Sequence, residues 1–176
     1  WRLERRDPPD VDWYLALYRE IGEEWLWHSR LALPRAALAR MLAAADVEIY
    51  ALTRDSRDVG LAELNFAEPG AVEIAFFGVG ASEIGSGAAR WLMAATLARA
   101  WAERSGRGPD RVWLHTCTFD HPNALPFYLR QGFRAYKRKV GIVADPRLTG
   151  VLAPGAGAHI PVIPPEAASK AGGRDA

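Results

Sequence analysis

The chain has 176 residues, the size of one ordinary domain, and 49% of them are hydrophobic, enough for a sizeable core. With 22 basic against 21 acidic residues the formal charge is +1, so there is no electrostatic footprint for a phosphate backbone or an anionic membrane, which argues against nucleic-acid and membrane partners. The single cysteine, Cys117, excludes an intrachain disulfide, no apolar run is long enough to span a bilayer, and the opening residues lack the apolar stretch of a secretory leader; a cytoplasmic protein is expected.

Val11, Tyr14, Leu15, Tyr18 and Ile21 recur at helical spacing after Asp10, a suitable N-cap, and Gly22 is placed to close that helix. Pro34 followed by Leu38, Met41, Leu42 and Ala45 predicts a second helix ending before Asp46, with the aromatic stretch Trp25-Leu26-Trp27-His28 between the two. Val47 to Thr53 and Val59 to Leu64, joined by Asp55-Ser56-Arg57-Asp58, read as a hairpin. Ala71 to Val79 is nearly continuously apolar except for Glu73, the pattern of a central strand covered on both faces. A long helix then presents Ala88, Trp91, Leu92, Ala95 and Ala98 on one face and breaks at 106–110. Arg111 to Cys117 reads as a strand, Asn123 to Gln131 as a short helix closed by Gly132, and Phe133 to Val143 as the strand that completes the sheet. The chain therefore divides into an α/β domain over 1–144 and a Pro/Gly/Ala-rich, irregular tail over 145–176.

The turn from Gly80 to Ala88 joins a strand to the long helix. Its glycines allow close approach of the backbone, and a helix N-terminus offers free N–H groups, so it suits a phosphate. A Walker loop needs a Lys after its last glycine, where Ala88 stands, and a dinucleotide fingerprint needs a third glycine where Arg90 stands. An ordinary strand-to-helix turn is the plain alternative.

Taken together, the element order, Gly85-Ser86-Gly87 opening the long helix, and the stretch Asn123-Ala124-Leu125-Pro126-Phe127-Tyr128 ending in Gly132-Phe133 resemble the GNAT superfamily of N-acetyltransferases over roughly Val11 to Val143. Within it the Trp25–His28 and His115–Thr118 stretches look like a poorly characterised bacterial group. The resemblance implies a mixed, mostly antiparallel central sheet flanked by helices, with splayed central strands. It also implies acetyl-CoA as co-substrate, with Phe77, Val79, Ile84, Gly85, Ser86, Gly87, Ala88, Asn123 and Phe127 at the cofactor. Ser82 departs from the Gln or Arg usual at that point of the turn, which removes one side-chain contact and leaves the backbone cradle.

Acetyl transfer to an amine needs a base, an oxyanion donor and an acid for the departing thiolate. By the resemblance Tyr128 is the acid, and a backbone N–H near Val79 is the oxyanion donor, the flanking glycines suiting a bulged strand end. Glu73, a charge inside an apolar strand, is the expected base, since burial strengthens a carboxylate in that role; Glu63 is the fallback. Tyr128 packing under the sheet, Glu73 facing solvent and Asn123 merely capping its helix are the competing readings. His115, Cys117, Asp120 and His121 lack the paired spacing of a metal site, so no metal is expected.

The acceptor is expected against the first two helices, with Tyr18, Trp25, Trp27 and His28 as its walls, although large aromatics also build cores. A small-molecule primary amine is the expected acceptor. A protein N-terminus or lysine is the alternative within the enzyme class, and an acyl-CoA-binding module without turnover the alternative outside it. The last strand and the apolar tail are candidate surfaces for a homodimer.

Overall fold

A computed structural model describes residues 1–104 and 106–163. A five-stranded sheet runs in the order β1 (Arg2–Arg6), β2 (Val47–Arg54), β3 (Arg57–Asn65), β4 (Ala71–Val79), β5 (Arg111–Leu114). The first four strands pair antiparallel and β4 pairs parallel with β5. This is the mixed, mostly antiparallel sheet expected. No helix among the described residues is long and apolar enough to cross a membrane.

Helix α1 (Val11–Gly22) starts where the sequence places it: Asp10 stays extended and accepts the Trp13 N–H at 2.9 Å, a cap that contributes about 1 kcal/mol. Its face of Tyr14, Leu17, Tyr18 and Ile21 packs with Leu38 and Leu42 of α2 (Arg35–Leu42) onto Val47, Ile49 and Leu61. On the other face of the sheet, Tyr50, Leu52, Leu64, Val72 and Ile74 meet Ala88, Leu92, Met93 and Ala100 of α3 (Ala88–Ala100). The sheet is thus covered on both sides, as the apolar run of β4 implies.

Four expectations need correction. β1 was not foreseen, because Arg2-Leu3-Glu4-Arg5-Arg6 offers one apolar side chain; it is an edge strand held by the β2 ladder and by Arg6–Asp58 and Arg5–Glu48 ion pairs. The buried row of α3 runs Ala88, Leu92, Thr96, Ala100 with Met93, leaving Ala98 exposed, because Thr96 counts as polar in the sequence and hides the true face. β5 ends at Leu114 rather than Cys117: the Asp120 carboxylate accepts from the Thr116 hydroxyl at 2.7 Å and the Cys117 N–H at 2.8 Å, and that turn replaces further ladder.

The fourth concerns 133–143, which forms no strand. Arg134, Lys137, Arg138 and Lys139 leave it without an alternating apolar face, β5 offers an edge of only four residues, and Val140 and Ile142 stand 96% and 97% exposed. The following residues, 145–163, have no helix or strand, yet Leu152 and Ala156 pack against Leu26; the rest of the expected tail, 164–176, lies outside the described residues.

Candidate active site

β4 carries a bulge. Glu63 pairs with Phe76 but Leu64 pairs with Ile74, so Ala75 is an extra residue. It keeps Glu73 and Phe76 on the same face: Val72 and Ile74 belong to the α3 side, and Phe76 packs with Tyr18 and Trp27 on the α1 side. At the same point β5 leaves β4, the last matched pair being Ile74 with Leu114. Beyond it one edge of β4 is open. The Gly80 N–H donates to the Val59 carbonyl at 2.8 Å, which fixes the alternation of the β3–β4 ladder, so the N–H groups of Phe77 and Val79 point away from β3 into the gap.

Helix α4 (Ala124–Arg130) lies over that gap. The rings of Phe127 and Phe77 stack at 6.0 Å, and Tyr128 meets Phe77, Phe127 and Phe133 edge-on. The Tyr128 hydroxyl makes no hydrogen bond to any described residue. Burial, with the Asp120 charge added, pushes its phenol well above the ordinary value, so it carries its proton throughout the neutral range. Asn123 is exposed and makes no side-chain capping bond, which leaves its amide available and disfavours the helix-cap role.

The glycine turn is shaped for a phosphate group. Gly85 and Gly87 are left-handed, with φ of +82° and +93°, and no atom lies within 4 Å of where a Cβ on Gly85 would stand. The Ser86 hydroxyl accepts the Ala88 N–H at 3.1 Å, so the expected donor at Ala88 is already engaged. The N–H groups of Gly85, Gly87, Ala89 and Arg90 meet no acceptor among the described residues and converge on the start of a 13-residue helix. Glu83 would repel an anion, but it is buried against Arg54 and Ser86, and Ile84 is exposed beside the turn. These residues fit a CoA pyrophosphate. Trp1, unforeseen because β1 was, adjoins Gly87 and packs on Trp91.

On the α1 side, Glu73 is half-buried and its Oε1 lies 3.6 Å from His115 Nδ1. That carboxylate raises the imidazole above its usual value against the opposing effect of burial. Glu63 is 1% exposed, and its two oxygens accept from the Tyr14 hydroxyl at 2.6 Å and the Arg30 guanidinium, which also lies over the Phe76 ring. Sealed and doubly engaged, it is placed for structure and not for proton transfer. Arg30 had no sequence signal, being an ordinary loop arginine.

The four expected acceptor residues separate into two layers. Tyr18 is fully buried, and Trp27 packs on it and on Phe76, so both belong to the floor of the α1 side. Trp25 and His28 lie on the loop above; the His28 Nδ1–H donates to the Leu26 carbonyl, and Trp25 meets His121 at 5.1 Å. Cys117 is exposed, with its thiol raised above the ordinary value by desolvation, the opposite of an activated nucleophile. A cavity of about 380 Å³ lined by Phe66, Gly70, Arg104 and Asp110 lies at the start of β4, away from the open edge.

No curated protein is similar enough to count as a relative. Among solved structures, an aminoglycoside acetyltransferase from an uncultured soil metagenomic sample, in complex with sisomicin, is 17% identical with a TM-score of 0.61, over 81% of this chain and 94% of that one. An aminoglycoside N-acetyltransferase in complex with CoA is 16% identical with a TM-score of 0.56, over 81% and 93%. A Trypanosoma brucei acetyltransferase is 24% identical with a TM-score of 0.54, over 81% and 99%. These likenesses establish the fold. The acetyltransferase (GNAT) family model matches residues 12–133, well over half of the sequence, and spans β2 through α4 with the glycine turn and Tyr128 inside it. The chain belongs to the GNAT acetyltransferase family and is an acetyl-CoA-dependent acyltransferase.

Proposed function

We propose that this enzyme acetylates the primary amine of a small molecule by direct attack within a ternary complex. The observation that carries the reading is the parting of β4 from β5 after Ile74: it exposes two backbone donors, at Phe77 and Val79, between Tyr128 on one side and Glu73 on the other. Acetyl-CoA supplies an activated acyl group. The free N–H groups of the glycine turn hold its pyrophosphate, and the Phe77 or Val79 N–H bonds the oxygen that gains charge in the transition state.

Glu73 takes the amine proton. It stands three ladder steps before Phe77, Ala75 being the bulged residue, or roughly 10 Å along the strand, so the proton travels through the side chain's reach and an intervening water. Tyr128 donates toward the departing sulfur. Because burial lifts its phenol above the usual value, complete transfer to a thiolate runs uphill, and the hydroxyl acts mainly by hydrogen-bonding the developing charge. A small acceptor is supported by the Trp25–His121 contact, which ties the short helical turn after α1 to the β5–α4 loop, and by aminoglycoside acetyltransferases among the structural neighbours.

Calorimetric titration of acetyl-CoA, CoA and NAD into the intact chain and Gly87→Glu tests the cradle first. Micromolar acetyl-CoA binding, lost in the variant, is expected; no CoA binding to the intact chain defeats the cradle. An amine screen follows with Tyr128→Phe, whose turnover should fall about a hundredfold without a change in acetyl-CoA affinity. Undiminished turnover would remove Tyr128 from the mechanism.

A further inference from the structure

Residues 145–163 have no regular secondary structure, yet they are held in one shape by a buried arginine. The Arg147 side chain is 2% exposed. It donates to both oxygens of Asp145, at 3.0 and 2.7 Å, and to the carbonyls of Ala156, Gly157, Ile160 and Pro161. One guanidinium thereby closes the segment into a loop. Asp145 answers with a carboxyl held below its usual value by that arginine.

The loop encloses Leu26, which follows Trp25. Leu26 is left-handed at φ +54°, a conformation that costs a non-glycine residue about 1–2 kcal/mol unless the surroundings enforce it. They do so here: its side chain is buried with Leu152 and Ala156 and touched by Ile160, and the backbone at Gly157 lies so close that a Cβ there would overlap Leu26. Pinning Leu26 sets the direction of Trp25. Two histidine rings meet Trp25 edge-on at 63°, His121 of the β5–α4 loop at 5.1 Å and His159 of the 145–163 segment, a strap over Leu26, at 5.2 Å. His121 is the neighbour of Asp120, whose charge bears on both Tyr128 and His115.

We infer that His159, carried on a strap latched by Arg147, contacts the acceptor and helps determine which amines enter, with Arg147 as its positioning residue. Trp25 with two imidazoles against it, His159 exposed and His121 half-buried, makes a rim suited to an amine borne on a ring or a cation. This rests on the acetyltransfer reading above, and it gives function to a segment outside the family match.

The test uses the full chain with sisomicin, spermidine and a lysine-containing tetrapeptide as acceptors. KM, kcat and acetyl-CoA Kd are measured for His159→Ala and His159→Phe, with amide hydrogen exchange over residues 25–31 in Arg147→Met. His159→Ala should raise the acceptor KM five- to tenfold while kcat and acetyl-CoA Kd stay within twofold, and His159→Phe should recover most of it. Arg147→Met should speed exchange over 25–31 at least tenfold and leave α3 unchanged. An acceptor KM that moves less than twofold in His159→Ala, or an acetyl-CoA Kd that moves equally, overturns the assignment. If the intact chain acetylates none of the three, the acetyltransfer reading with these amines fails; unchanged exchange in Arg147→Met would then overturn the strap, and faster exchange would sustain it.

Discussion

Alanine at Gly85 separates the cradle's function from its folding. Gly85 has φ of +82° and open space where a Cβ would stand, so the substitution brings left-handed strain of about 1–2 kcal/mol and no clash. For a chain of this size that predicts a fall in Tm of about 2–8 °C. Gly106, in the turn after α3, supplies the control: its φ is +81° and it too has no neighbour within 4 Å. Both variants should therefore lose similar stability in the absence of ligand, read by calorimetry or thermal fluorescence.

Binding should divide them. A methyl at Gly85 holds a phosphate away from the N–H groups around it, and one hydrogen bond to a charged group contributes about 1.5–3 kcal/mol, equivalent to roughly 10- to 150-fold in Kd. Gly85→Ala should weaken acetyl-CoA by that factor while Gly106→Ala leaves it within twofold. Equal Kd values in two equally destabilised variants would refute the cradle, whatever the enzyme proves to acetylate.

The pH dependence should report the Glu73–His115 pair. Because Glu73 raises the imidazole, His115 remains protonated to a pH above the usual 6.5, and while protonated it holds the carboxylate away from an incoming amine. Activity should rise as pH increases through the His115 value, and His115→Gln should abolish that part of the rise in a kcat/KM profile for one acceptor; superimposable profiles would exclude the pair from proton transfer. Arg30→Met leaves Glu63 buried with Tyr14 as its sole strong partner, and breaking a buried pair in this way costs about 3–5 kcal/mol, measurable by urea unfolding; a cost below 1 kcal/mol would show that Tyr14 alone satisfies the carboxylate.

The elements legible in the sequence were those whose patterning and punctuation agree. Asp10 before an apolar periodicity, Pro34 before the periodicity of α2, and the apolar run of β4, interrupted only by Glu73 and bounded by the turn at Gly70, each specify an element by two signals. β1 failed because an edge strand with one apolar residue, itself only half-buried, has no period to detect, and 133–143 misled because isolated aromatic and β-branched residues suggested a strand whose partner edge does not extend that far. The glycine turn and the Asn123–Phe133 stretch that holds Tyr128 are visible as motifs, since a motif is a matter of local spacing. Arg30, Trp1 and His159 were not, because each matters through a contact made across the fold by a residue that is unremarkable in its own neighbourhood.

The extra residue in β4 makes the strand a ruler. Along an extended chain every residue adds about 3.3 Å, and a shift of one turns all later side chains to the opposite face. Ala75 absorbs one residue in place, so Glu73 stays in phase with Phe76 while the backbone donors at Phe77 and Val79 keep a set distance from it. In the proposed mechanism, the distance between the carboxylate that would take the proton and the N–H groups that would bond the developing charge is thus encoded as a count of residues. Exchanges of one small side chain for another at Ala75 leave that count intact, whereas a single insertion or deletion between Glu73 and Val79 would alter spacing and facing together.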